Sequence, residues 1–474
     1  MRGWRAVFST AVVFGVAAFV PRPAPAEVGL TLAPSVAGQI DRLGKNEVHS
    51  GRTPGIAIGV VEDGRLVYAR GFGFAGVAKH VPMTPETEFY AGTMTMQFTA
   101  SAVLMLSQAG KFGLDDKVSK FVPEFKAARD VTITQLLTQT SGLPDPRRLH
   151  GPAFDQTRPL KFADLFDAID DAIDKVNLTV TPGAAYADNP LNYLLAGLIV
   201  ERAAGVPLSD YLEQHVFIPL IMDHSFLAGD SGIASDHAVG YTWTHQGFTP
   251  ASSPDPTWMS GYAGLVSTIE DLAKWDVEMP ILLRVDALRT MTAPSAQKGP
   301  THYGMGWVVD RRGGKEFVWS NGETSGYRSM NALLPAAHVA VIVLSNADSV
   351  HGGGVTIPEE IGSRILDILV PPTTARLDNA IIARAKECLQ RLASGHLDRS
   401  ELTPAFDAYL SDDLIARENL AALGTLQTMV PISSSTEANG DTLYEFLVRY
   451  TRGQYHYQFE LAPDGKIDGI ALVA

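Results

Sequence analysis

The chain carries one cysteine in 474 residues, Cys388, so no internal disulfide can cross-link it. A chain of this length buries enough apolar surface to fold without one. Cys388 falls in the helical pattern 383–392 and reads as a small buried apolar residue rather than a reactive thiol. Basic stripes are missing as well. With 38 Lys and Arg against 52 Asp and Glu, the formal net charge is −14, which repels phosphate backbones and argues against a nucleic-acid partner. The 12 histidines show no H-E-x-x-H or similar ligand spacing, and there is no glycine-rich phosphate loop or dinucleotide fingerprint. We therefore expect neither a metal nor a cofactor. No apolar run reaches the roughly 18 residues of a membrane-spanning helix.

The longest apolar run is Ala6–Val20, preceded by Arg2 and Arg5 and followed by Ala24-Pro25-Ala26. A basic start, a short apolar stretch and small residues before a cut site make residues 1–26 an expected signal peptide. The expected location is then the periplasm or the medium, with no membrane span after cleavage. Its removal leaves 474 − 26 = 448 residues and, since it takes three Arg and no acid, a charge of −14 − 3 = −17. That length suggests two domains. In the first, expected over 27–370, a helix near Val36–Val48 precedes two strand-like runs, Gly55–Val61 and Arg65–Arg70, joined by the turn Glu62-Asp63-Gly64. Helical patterns follow at Met94–Gln108, Ile133–Gln139, Leu191–Ala204 and Thr268–Glu278. Strands return at Tyr303–Asp310, Glu316–Trp319, Tyr327–Leu334 and Val339–Ser345. A sheet built from both ends of this region around a helical lobe is an α/β (α+β) architecture. Residues 371–374, Pro-Pro-Thr-Thr, read as a linker. Helical patterns at 377–394, 403–410 and 412–421 then precede strands at 424–433, 442–450, 454–461 and 467–473, an α+β domain over 375–474.

Several segments of the first domain, taken in order, resemble the serine β-lactamase-like family. That family includes class C β-lactamases, D-alanyl-D-alanine carboxypeptidases and esterase relatives. The segments are Thr53-Pro54-Gly55-Ile56-Ala57, Gly71-Phe72-Gly73, the run from Leu136 to Pro144, Gly261-Tyr262-Ala263-Gly264-Leu265-Val266-Ser267-Thr268 and Glu270–Trp275. The resemblance implies a β-lactamase/transpeptidase-like fold with an antiparallel sheet, and three motifs meeting in one cleft. At the Ser-x-x-Lys motif the chain has Thr93 in the nucleophile position and Met96 in the lysine position. At Tyr-x-Asn it has Asp188-Asn189-Pro190, so Asp188 replaces the phenol, and Tyr186, two residues earlier, reads as a core aromatic. At Lys/His-x-Gly it has Ser320-Asn321-Gly322: the cation is lost and Gly322 is kept. A further family histidine is Gln139 here. The backbone N–H groups of Thr93 and Glu323 take the family's oxyanion-hole positions, with Pro190 and Gly322 at the cleft. The C-terminal domain resembles the cystatin-like cone appended to some family members.

These replacements predict a site that binds without turning over. A hydroxyl needs a base to become a nucleophile, and the Met96 thioether has no basic atom. Asp188 is a poor base for an alcohol. Losing an activating unit in serine hydrolases costs on the order of 10⁴ to 10⁶ in rate, and an oxyanion hole alone leaves about 10³ over water. The replacements also make the cleft about two to three charges more negative than the family pattern, disfavouring carboxylate ligands and tolerating neutral or cationic ones. The expected protein is thus an exported, catalytically impaired family member that binds a small-molecule or peptide ligand. Two readings compete with it. In one, an active periplasmic peptidase or esterase uses Thr93 in a rewired site; in the other, the C-terminal domain carries the function. Two look-alike motifs read as loops, Ser295-Ala296-Gln297-Lys298, which Gly299-Pro300 cuts short, and Gly229-Asp230-Ser231-Gly232.

Overall fold

The computed structural model describes residues 31–473, apart from 177–180, 229–236, 245–246, 299–300, 349–354, 411–419 and 437–438. The expected signal peptide, the Gly229–Gly232 motif and most of the 412–421 helix lie outside the described residues. The chain begins with α1 (Pro34–His49), then strands β1 (Gly55–Glu62), β2 (Arg65–Gly76), β3 (Val81–Pro82) and β4 (Phe89–Gly92). The helical lobe follows, with α2 (Thr95–Gln108), α3 (Ile133–Leu137), α4 (Phe162–Val176), α5 (Pro190–Ala204) and α6 (Leu208–Leu212). Short strands β5 (Phe226–Leu227), β6 (Tyr241–Thr244) and β7 (Gly247–Pro250) lead to α7 (Ser260–Ala263), β8 (Leu265–Ser267), α8 (Ile269–Leu282) and α9 (Val285–Met291). The chain then returns to the main sheet through β9 (Ala296–Lys298), β10 (Thr301–Tyr303), β11 (Val308–Arg312), β12 (Lys315–Thr324), β13 (Tyr327–Leu334) and β14 (Val339–Ser345), and ends this region with α10 (Ile357–Leu369).

The nine strands pair in the order β3-β2-β1-β14-β13-β12-β11-β10-β9, and the ladders between them are antiparallel. β1 and β14 are central and buried on both faces, which explains why they read as unbroken apolar runs. Their alternate residues divide between two cores. Ile56, Ile58, Val60, Val341 and Val343 pack with α1 and α10, while Ala57, Val61, Ile342 and Leu344 pack with the helical lobe. Gly59 lets α8 approach β1, since a Cβ there would stand 2.5 Å from Ile269 Cγ2. Two expectations shift. The run 303–310 is two strands turned at Gly304–Trp307, with φ +83° at Gly306. Ala296–Lys298 is the edge strand β9 rather than a loop, because it finds a partner in β10.

Beyond α10 come α11 (Asn379–Ala393), α12 (Pro404–Tyr409) and a four-stranded antiparallel sheet, β15 (Leu426–Thr436), β16 (Thr442–Tyr450), β17 (Gly453–Leu461) and β18 (Ile467–Val473). Phe446, Tyr457, Phe459 and Leu389 centre its own core. Polar side chains join it to the first region. Gln458 Nε2 donates to Asp310 Oδ1 at 2.6 Å, Glu445 accepts the Gly313 and Gly314 N–H groups, and Asp367 on α10 accepts from Arg312 at 2.8 Å and meets His456 Nε2 at 3.0 Å.

Two buried carboxyls share one arrangement. Asn331 Nδ2 donates to Asp276 Oδ1 at 2.6 Å, leaving Asp276 Oδ2 and Asn331 Oδ1 buried with no hydrogen-bond partner. Likewise Asp310 Oδ2 and Gln458 Oε1 are left over. Both leftover atoms of each pair are acceptors, so one proton on the carboxyl supplies the donor that the pair lacks. Burial pushes Asp276 up to about 8 and Asp310 up to about 7. For Asp276 the folded state holds its proton up to about pH 8, whereas the ordinary carboxyl, at 3.8, has released it. Stability should therefore fall as pH rises from about 4 to about 8 and level off above. Asp276→Asn supplies a permanent N–H donor in the same place. We expect the variant to gain about 1–3 kcal/mol over the parent at pH 8 and little at pH 5 in urea denaturation. An equal gain at both pH values would rule out a protonated Asp276.

Candidate active site

The junction of β4 and α2 lies against β12, and two glycines make this possible. A Cβ on Gly92, at φ +61°, would stand 2.6 Å from the Glu323 nitrogen. A Cβ on Gly322 would overlap the Ala91 carbonyl oxygen and Ser329 Oγ. The close approach places Thr93 at the foot of α2 and beside β12. Its Oγ1 donates to the Asn321 carbonyl at 3.0 Å and accepts the Glu323 N–H at 3.0 Å. Among the described residues these are its hydrogen-bond partners, and both are main-chain atoms. The Glu323 N–H, read from the sequence as an oxyanion-hole donor, is therefore occupied by the chain's own hydroxyl.

Met96 lies one turn along, its N–H bonded to the Thr93 carbonyl at 3.1 Å. The residue is 6% exposed. Its sulfur faces two donors, Gln139 Nε2 at 3.6 Å and the Tyr303 hydroxyl at 3.7 Å. A thioether is a weak acceptor, so these contacts fill the space without creating a base. Burial pushes the Tyr303 phenol well above its ordinary value, and the nearby Tyr193 and Asp188 raise it further. The Tyr262 phenol is raised by burial first and then by the charge of Asp188. Both phenols stay protonated near neutrality and cannot accept a proton from Thr93.

Gln139 ties the site together. It is buried, adopts φ +59°, and its Oε1 accepts from the Asn189 N–H at 3.2 Å and Asn192 Nδ2 at 2.5 Å. Its Nε2 reaches Asp188 Oδ1 at 3.5 Å as well as Met96. Asn189 caps α5 by accepting the Leu191 N–H and donates to the Leu143 carbonyl, while Ser141 Oγ donates to Asn192 Oδ1 at 2.6 Å. The loop after α3 and the start of α5 are thus fixed to one another beside Met96.

Asp188 is at the rim and exposed, and there the structure supplies a cation that sequence reasoning missed. Arg147 Nη2 donates to Asp188 Oδ2 at 3.1 Å and to its carbonyl at 2.9 Å, while Nε bonds Asp145. Burial alone would lower the Arg147 guanidinium, but the Asp145 hydrogen bond and neighbours that include Asp188 outweigh it and push it up. The excess negative charge counted from the sequence is thereby partly offset. Nothing in the sequence signals this pairing, because Arg147 and Asp188 are 41 positions apart. Ser320 is buried on β12, and its position carries no charge. Tyr186 packs on Tyr303 with ring centroids 5.3 Å apart. Pro190 and Gly322 are both buried. Among the described residues no three His, Cys, Asp or Glu side chains are placed to hold a metal ion.

Comparison with known proteins gives the same frame. Protein flp of Staphylococcus aureus (strain MW2) is 28% identical over 324 residues, 66% of this chain and 63% of that protein, so the chain spans somewhat under two thirds of its relative. A D-aminopeptidase of Gluconobacter oxydans is 26% identical over 62% of this chain and 56% of that one. Among solved structures, the octameric penicillin-binding protein homologue from Pyrococcus abyssi superposes with a TM-score of 0.61 at 20% identity, covering 92% of this chain and 99% of that one. The D-amino acid amidase from Ochrobactrum anthropi SV3 superposes with a TM-score of 0.62 at 21% identity, covering 71% and 99%. The family model described as Beta-lactamase matches residues 40–362, which hold the sheet, the helical lobe and the Thr93 junction, and the chain belongs to the beta-lactamase family.

Proposed function

We propose that this chain is an exported, catalytically impaired member of the family whose cleft binds a small-molecule or peptide ligand without turning it over. One observation carries the reading: the hydroxyl in the nucleophile position is bonded to two main-chain atoms, and the side chain one turn along is a thioether. For Thr93 to attack a carbonyl, its proton must pass to a base within about 3 Å. The Asn321 carbonyl is far too weak a base to keep that proton. Thr93 Oγ1 would also have to vacate the Glu323 N–H before that group could hold a developing oxyanion.

The rim supports a neutral or cationic ligand over a carboxylate. Asp188 is matched by Arg147 and Glu323 by Arg328 at 2.7 Å, while Asp145 meets both Arg147 and Arg148, so these three carboxylates and three arginines leave no surplus cation to hold a carboxylate ligand. The relatives named for D-aminopeptidase and D-amino acid amidase activity suggest an amide or peptide ligand with a free amine. Export rests on the sequence of residues 1–26.

Two measurements test the proposal. Intact mass after treatment with a fluorophosphonate or a labelled penicillin should be unchanged, and stoichiometric labelling of Thr93 would overturn impairment. Hydrolysis of neutral short-chain esters between about pH 5 and 9 should not exceed that of Thr93→Val, since among the described residues the hydroxyl bonds only main-chain atoms. A rate lost in Thr93→Val would instead establish the rewired enzyme.

A further inference from the structure

We infer that the groove between α1, α10 and the turn from β16 to β17 is a binding site for a small anion carrying two or more phosphate groups. The groove has a volume of about 660 Å³, and its charged lining is Arg42, Arg364, Arg449, Arg452 and Asp367. Four arginines and one acid line it, in a chain whose net charge is −14. Asp367 is committed to other partners. Asp367 Oδ1 is taken by Arg312 at 2.8 Å and by His456 Nε2 at 3.0 Å, and Oδ2 by Gln454 Nε2 at 3.1 Å. Arg364 pairs with one oxygen of Glu360 at 3.6 Å, and Arg52 holds the other at 2.7 Å. Arg42 and Arg449 form no ion pair among the described residues, and both are exposed.

Like charges gathered in a concave groove repel one another, and an anion among them removes that cost. Beyond about 8 Å at physiological salt the acidic remainder of the protein is screened, so a bound anion feels mainly the local arginines. Guanidinium groups present planar forks that match phosphate oxygens, and one phosphoryl can accept from several forks at once. A carboxylate offers a single two-oxygen edge. The volume exceeds what one phosphate fills and lies within the usual size for small-ligand sites, about 300–1,000 Å³. Arg42 and Arg364 belong to the first region and Arg449 and Arg452 to the C-terminal sheet, so one ligand would bridge both. The site is separate from the Thr93 cleft and does not depend on the reading of that cleft.

The test is calorimetric titration of the whole chain with tripolyphosphate at about 0.15 M salt, with citrate as the carboxylate control. We expect saturable binding, a thermal midpoint about 2–4 °C higher with ligand, and citrate at least about 10-fold weaker. Arg42→Ala with Arg449→Ala should weaken tripolyphosphate binding about 10-fold or more while the ligand-free midpoint does not fall. If that pair lowers the ligand-free midpoint, Arg449→Lys decides: it keeps the charge and loses the fork, and binding should weaken several-fold. Tripolyphosphate failing to saturate by about 5 mM, binding indifferent to these substitutions, or citrate binding as tightly would overturn the assignment.

Discussion

A hydroxyl clamped between a carbonyl and an N–H sets the character of this protein. Thr93 lies where three elements meet, the end of β4, the start of α2 and the edge of β12, and its Oγ1 bonds the last of these twice. The clamp requires backbone to approach backbone closely, and Gly92 and Gly322 are the residues that allow it. In a catalytic site the same closeness would serve to hold an oxyanion. Among the described residues no amine or imidazole bonds that hydroxyl, whose two partners are main-chain atoms. The close backbone approach is kept, whereas Met96, Asp188 and Ser320 stand where the resemblance places a lysine, a phenol and a cation, a distinction that fold alone does not make.

The main sheet was legible because its strands carry their assignment in composition. The expected ranges Tyr327–Leu334 and Val339–Ser345 are those of β13 and β14, and Thr442–Tyr450 and Ile467–Val473 those of β16 and β18. Central antiparallel strands buried on both faces leave apolar runs that no helix of that length would need. The misses have a common cause. β9 is a strand only because β10 pairs with it, and the residues Ser295–Lys298 carry no pattern that says so. The turn at Gly304–Trp307 splits one apolar run that reads as continuous. In the site, the loss of the motif residues was visible, whereas the roles of Gln139 and Arg147 were not. Gln139 acts through partners at 96, 188, 189 and 192, which only the fold brings within reach.

Charge is arranged differently inside the molecule than its sum suggests. A net −14 implies a uniformly repulsive surface for anions, yet the join between the two regions gathers arginines along one groove. Elsewhere in that join, Asp310 is pressed against Gln458 with one oxygen of each left over, which favours a neutral carboxyl. Burying an ionised carboxylate beside an amide that offers only one useful hydrogen would cost more than holding the proton. Asp276 with Asn331 repeats the solution inside the first region. The C-terminal sheet therefore meets the rest of the chain through groups whose ionisation is part of the fit, and the join is more than apolar contact.

That polar join bears on why the sheet is present at all. An appendage held only by apolar contact could be lost with little effect on the charge state of its neighbour. Here Asp367, on α10, serves Arg312 of the main sheet and His456 and Gln454 of the C-terminal sheet at once. Withdrawing β17 would leave Asp310 without the Gln458 amide and Asp367 with Arg312 alone, exposing α10, which covers the second core of the main sheet. A buried ion pair that loses a partner costs more than the pair contributes when intact. The last hundred residues are therefore bound into the electrostatics of the first core, and the two regions should unfold as one.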